Sequence, residues 1–137
     1  MVIEKSVGAI VINQEGEYLL LSRVDKKGDF WEFPKGHQID NESDIETLTR
    51  ELEEECNITD SKLVKDFVKE NKYISSSSGN TRIILLYLVK VKNKNIRLST
   101  EHNKYLWLKF VDALTKLNHD TWKKMLIDAE SRIAGMK

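Results

Sequence analysis

Apolar positions in this chain change their spacing several times, and each change marks an element. Val7 to Ile12 is an apolar, β-branched run, followed by the turn-like Asn13-Gln14-Glu15-Gly16 and a second run, Tyr18-Leu19-Leu20-Leu21. Together they predict a strand pair. Val24 to Asp29 is polar with a glycine and predicts a loop. Trp31-Glu32-Phe33 is a short alternating segment that ends at Pro34, the only proline in the chain. That proline stiffens the entry to Lys35-Gly36-His37, where open backbone amides and a lysine could meet phosphate.

Beyond this point the spacing becomes helical. Ser43 or Asp44 can cap a helix that runs to about Cys56. Ile45, Leu48, Leu52 and Cys56 fall on one stripe, while Glu51, Glu54 and Glu55 gather in a neighbouring arc. One face is predicted to be buried and the next to be acidic. Val64 to Tyr73 reads as extended, although its lysines blur the alternation, and Ser75 to Asn80 reads as a hairpin loop. Thr81 to Val91 predicts a central strand and Tyr105 to Leu108 a short one. Val111 to Leu117 and Asp120 to Ile133 predict closing helices, and the aromatic residues Trp31, Phe33, Tyr87 and Trp107 are assigned to the core.

Composition narrows the function classes. The 137 residues fit one domain, spanning 1–137, that buries a single core without staples. Lys plus Arg and Asp plus Glu stand at 22 each, so no global field favours an extended nucleic acid, while small charged ligands remain open. Cys56 is the sole cysteine, which excludes an internal disulfide and suits a small buried hydrophobe. No run approaches the ~20 apolar residues of a bilayer helix, and the first residues carry no signal-type apolar stretch. The expected location is the cytoplasm, with no membrane partner.

The acidic arc carries the candidate chemistry. Glu51 and Glu55 are four apart and Glu54 is three from Glu51, so the three carboxylates can converge on one or two cations. Without a cation they repel. Mg²⁺ prefers oxygen ligands and keeps several waters, so a few carboxylates plus substrate phosphates make a typical site. Taken alone, an acidic helix face reads as merely solvated. Here it stands in register with Gly36, Glu42, Arg50 and Ile58.

That register, GHQIDNESDIETLTRELEEECNI, resembles the Nudix box: a glycine, a glutamate, an Arg-Glu pair, two more glutamates, a glycine and an aliphatic. Asn57 departs from it, standing where the family has glycine; asparagine is the next residue able to adopt a left-handed turn. The resemblance implies an α/β/α sandwich around a mixed β-sheet, with the box as a catalytic loop-helix-loop. It implies hydrolysis of a phosphoanhydride with Glu51, Glu54 and Glu55 on Mg²⁺, or Mn²⁺ in substitution, and with Glu42 and Arg50 bracing the loop-helix-loop.

Outside the box, Trp31 to His37, Ile96 to His102 and Tyr105 to Leu108 look like the asymmetrical diadenosine tetraphosphate hydrolases. This likeness implies a further metal-site carboxylate at Glu101 and a tyrosine near the adenine at Tyr73; Leu86 departs where a second aromatic is usual. Gly36 lies in the substrate loop, and Lys35, His37 and His102 are candidate phosphate contacts. The implied substrate is a dinucleoside polyphosphate split unevenly, diadenosine tetraphosphate giving ATP and AMP, by a monomer or weak homodimer. The rival readings are an RNA 5′-pyrophosphohydrolase, a general cleaver of nucleoside diphosphates linked to another group, and a nucleotide sensor without turnover.

Overall fold

The computed structural model describes residues 2–25 and 28–136. Its strands are β1 (Ile3–Ile12), β2 (Tyr18–Asp25), β3 (Gly28–Glu32), β4 (Lys35–His37), β5 (Lys62–Ile74), β6 (Thr81–Lys90) and β7 (Lys104–Leu108). Its helices are α1 (Asp44–Cys56), α2 (Phe110–Lys116) and α3 (Asp120–Gly135). The strands form one mixed sheet in the order β3-β2-β1-β6-β5, with β4 also paired to β1 and β7 to β2. β1 and β6 run parallel through the centre, from Ile3↔Thr81 to Ile12↔Lys90, and the other pairs are antiparallel.

Both faces of the sheet are covered, which is why the central strands read as nearly continuous apolar runs. On one face Val7, Ala9, Val11, Leu19 and Leu21 pack with Leu48, Leu52 and Cys56 of α1. On the other, Ile10, Ile12, Leu86 and Leu88 pack with Ala113 of α2 and with Trp122, Met125, Leu126 and Ala129 of α3. This is the α/β/α sandwich implied by the box. Trp31 and Phe33 are buried core residues, while Tyr87 and Trp107 pack half-buried beside α1.

Several expectations are corrected. The loop expected over Val24 to Asp29 is largely strand, since β2 continues to Asp25 and β3 starts at Gly28; Lys26 and Lys27 lie outside the described residues. Backbone pairing Asp25↔Gly28 and Val24↔Asp29 overrides the polar side chains. Lys35-Gly36-His37 is a strand rather than an open loop, because its backbone pairs with Gly8, Val7 and Ser6 of β1. Ile45 does not join the buried stripe of α1: it is 44% exposed on the first turn, and Thr47 is buried instead.

The blurred pattern of β5 has a definite cause. A bulge between Leu63 and Val68 places Asp66 at φ 61, so the alternation slips and Val64 and Phe67 both reach the core. Simple period-two counting fails across such an insertion.

Candidate active site

The α1 helix is fixed at both ends. Ser43 and Glu46 form a reciprocal capping box at its start. At its end Asn57 adopts the left-handed region, φ 59, and its N–H donates to the Glu53 carbonyl while that of Ile58 reaches the Leu52 carbonyl. Asparagine therefore performs the turn that glycine performs in the box. The Arg97 and Ser99 N–H groups then donate to the carbonyls of Cys56 and Glu55, at 3.1 and 3.2 Å. The segment between β6 and β7 is thus stitched onto carbonyls that a helix end otherwise leaves without partners.

Arg50 gathers the acidic side chains. Its Nε and Nη2 donate to the two oxygens of Glu42 at 2.7 and 3.0 Å, and Nη2 also reaches the His37 carbonyl at 2.9 Å. Its Nη1 donates to Glu51 at 2.7 Å and Glu54 at 3.1 Å. Glu42 in turn accepts from the Ile39 N–H and the Thr47 hydroxyl. The bidentate Arg50 bond leads the forces that hold the Glu42 carboxyl at about 2, far below its usual range.

Glu51 is buried against β4 at Gly36, where a side chain would overlap the carboxylate. Burial pushes its carboxyl upward against the pull of Arg50, and Glu55 and Glu54 add to the rise. A cation beside it would relieve that tension.

Glu55 faces the stitched segment. Its Oε2 accepts from Ser99 Oγ at 2.8 Å and lies 3.2 Å from His102 Nδ1. The other ring nitrogen, Nε2, lies 2.9 Å from Glu32 Oε2. A carboxylate only accepts, so both contacts together require N–H on both ring nitrogens. Burial would lower the His102 ring, but Glu32 and Glu55 outweigh it and hold the imidazolium above its usual range. For Glu32, burial would raise the carboxyl; the His102 bond together with Lys35 and Arg23 brings it lower than usual.

Among the described residues, Glu55, Glu101 and His102 each bring a ligand-type atom within 4.8 Å of the others. Carboxylate oxygens at such spacing suit a hard divalent cation. Glu101 is exposed, with its N–H on Ser99 Oγ at 3.3 Å. Glu51 and Glu54 stand outside that group, both turned to Arg50; the Glu54 side chain is 58% exposed.

The remaining expected residues are spread more widely. Lys35 Nζ lies 3.7 Å from Glu32 Oε1, and exposed His37 has its Nδ1 3.4 Å from Ser6 Oγ. His102 is buried, with both ring nitrogens already engaged by carboxylates. Tyr73 lies on β5, opposite Arg82 of β6, and is not brought into the glutamate cluster.

Sequence reading missed Glu32 and Ser99. Glu32 alternates with buried Trp31 and Phe33, so its side chain must point to the opposite face of a sheet covered on both sides. A charge at such a position is buried and needs partners, which is the signal that could have marked it.

The NUDIX domain family model matches residues 3–129. The chain is 40% identical over 103 residues to the asymmetrical bis(5′-nucleosyl)-tetraphosphatase of Mus musculus, covering 74% of this chain and 69% of that protein. It is 31% identical over 64 residues to an RNA pyrophosphohydrolase of Pelagibacter ubique, covering 47% of this chain and 40% of that one. A crystal structure of a C. elegans Ap4A hydrolase binary complex shares the fold with a TM-score of 0.86 at 26% identity, over 96% of this chain and 98% of that one. With the family match running from the first strand into the last helix, and the glutamate-bearing helix seated where its spacing predicts, the chain belongs to the Nudix hydrolase superfamily.

Proposed function

We propose that the protein hydrolyses a phosphoanhydride bond of a dinucleoside polyphosphate, splitting diadenosine tetraphosphate into ATP and AMP. One observation carries this reading. The segment Arg97 to His102, whose sequence resembles the asymmetrical hydrolases outside the box, is bonded to the end of α1, so that Glu101 and His102 stand beside Glu55. The likeness in sequence and the box helix therefore meet in one place. Identity to the tetraphosphatases, which extends well beyond the box, supports the same substrate class.

Glu51, Glu54, Glu55 and Glu101 are the residues proposed to hold Mg²⁺, with Mn²⁺ able to replace it. When bound, such an ion neutralises phosphate oxygens and lowers the pKa of water. The chain's own residues supply position. Arg50 fixes Glu51, Ser99 and His102 fix Glu55, and Glu54 and Glu101 keep the exposure needed to turn toward a cation that accompanies the phosphate. Lys35 and His37 offer cationic and hydrogen-bonding groups for the polyphosphate, and Tyr73 offers a ring for a base.

Purified protein with Mg²⁺ should be given diadenosine tetraphosphate, 5′-triphosphorylated RNA and nucleoside triphosphates in parallel, and the products resolved. The expected result is ATP plus AMP, formed faster than any product of the other substrates. Preferential release of pyrophosphate from the RNA would replace this reading with the RNA 5′-pyrophosphohydrolase, and absence of turnover on every substrate would favour a sensor.

A further inference from the structure

Glu32 lies on the far side of His102 from the box helix, and its burial is the feature that singles it out. It is 3% exposed, on the last position of the edge strand β3, and a carboxylate so deeply buried is rare unless paired. One oxygen, Oε2, is 2.9 Å from His102 Nε2 and 3.3 Å from Arg23 Nε. The other, Oε1, accepts no hydrogen bond and has Lys35 Nζ at 3.7 Å. The opposite ring nitrogen of His102 meets Glu55. A continuous line therefore runs from β3 through an imidazole to the carboxylate of the box helix.

We propose that Glu32 is a positioning residue: acting through His102, it sets the orientation in which Glu55 is presented to a divalent cation. The proposal rests on the metal role assigned to Glu55 above, though not on the identity of the nucleotide. The ring is flat and rigid, and its two nitrogens lie on opposite sides. Fixing Nε2 on Glu32 therefore fixes where Nδ1 points, and with it which Glu55 oxygen is occupied. Oε2 of Glu55 is taken by Ser99 and His102 together, which leaves Oε1 as the oxygen for a cation. Glu101 precedes His102 in the same segment, so the same anchor also limits where its carboxylate can reach. Partners of this kind behind a metal ligand typically change metal affinity or activity by about 10–100-fold.

The test uses Glu32→Gln, His102→Ala and the double variant, with two readouts. Mn²⁺ affinity is measured by electron paramagnetic resonance without nucleotide, and kcat and KM are measured on whichever phosphoanhydride the parent cleaves best. Glu32→Gln is expected to weaken Mn²⁺ binding and lower kcat by about tenfold or more, with KM little changed. In the His102→Ala background the same change is expected to add less than about twofold, because the line is already cut. Independent, multiplying effects would overturn the proposal. So would Mn²⁺ binding and kcat within about twofold of the parent in Glu32→Gln, even if its unfolding midpoint fell, since that pattern marks a merely structural carboxylate. Glu55→Gln is the control: full Mn²⁺ affinity there would remove the metal role of Glu55 and this inference with it. Failure on diadenosine tetraphosphate alone would overturn only the substrate reading.

Discussion

Gly36 and Glu51 occupy adjoining space so closely that a methyl group on Gly36 would overlap the Glu51 carboxylate carbon and both its oxygens. The glycine at the head of the box is therefore a steric requirement. Its backbone carries no left-handed strain, and the space belongs to a buried carboxylate on α1. Gly36→Ala should push Glu51 off Arg50, destabilise the fold by about 1–3 kcal/mol and, under the proposed metal role of Glu51, weaken Mn²⁺ binding. Urea unfolding and Mn²⁺ titration read the two effects, and a variant matching the parent in both would refute the packing.

Glu54 and Glu55 should separate stability from activity. Glu54 is mostly exposed and its pairing with Arg50 is a surface contact, so Glu54→Gln should change unfolding free energy by no more than about 1 kcal/mol. Under the proposed metal role its kcat should nonetheless fall by about 10²-fold or more. Glu55→Gln should lose activity similarly. Unfolding curves and steady-state rates on the same preparations decide the matter.

Acid titration offers a test of the Glu42–Arg50 brace. The folded protein holds the Glu42 carboxyl at about 2, below its unfolded value of 4.5, chiefly through the Arg50 hydrogen bond. The resulting stabilisation is fully present above that unfolded value and is lost as pH falls through the folded one. The stability gap between the parent and Glu42→Gln should accordingly be constant near neutral pH and shrink in acid. A gap that widened on acidification would contradict the brace.

Much of this was readable because α1 declares itself locally: Ser43 with Glu46 caps it, and its acids repeat at helical spacing. The pairings of Lys35-Gly36-His37 with β1 were not readable, since Pro34 and Gly36 carry loop chemistry while the partners Ser6 to Gly8 are remote in sequence. Ile45 misled for a related reason. It shares the stripe of Leu48 and Leu52, but on the first turn of α1 it stays 44% exposed while Thr47 is buried. The environment of His102 depends on Glu32, 70 positions away, a distance that no local pattern spans.

The exposure of Ile45 gives its own forecast. Leu52, 1% exposed, should cost about 2–5 kcal/mol on change to alanine, whereas Ile45→Ala should stay within about 1 kcal/mol. Thermal or denaturant unfolding compares them directly, and equal losses would restore Ile45 to the core.

Cys56 should be chemically silent in the folded protein. Burial first, then the nearby charges of Glu55 and Glu51, push its thiol up to about 12. Disulfide reagents near neutral pH should label it only as fast as the chain unfolds, and rapid labelling of native protein would expose an error in the packing of α1.

The bonds from Arg97 and Ser99 to the last carbonyls of α1 make the order of synthesis matter. A chain emerging from the ribosome completes the glutamate-rich helix long before it presents the Ser99 hydroxyl, the His102 imidazole and the Glu101 carboxylate that come to lie beside Glu55. Under the proposed metal role, competence to seize a cation in the finished geometry would therefore arrive late, once the segment between β6 and β7 has docked on the end of α1.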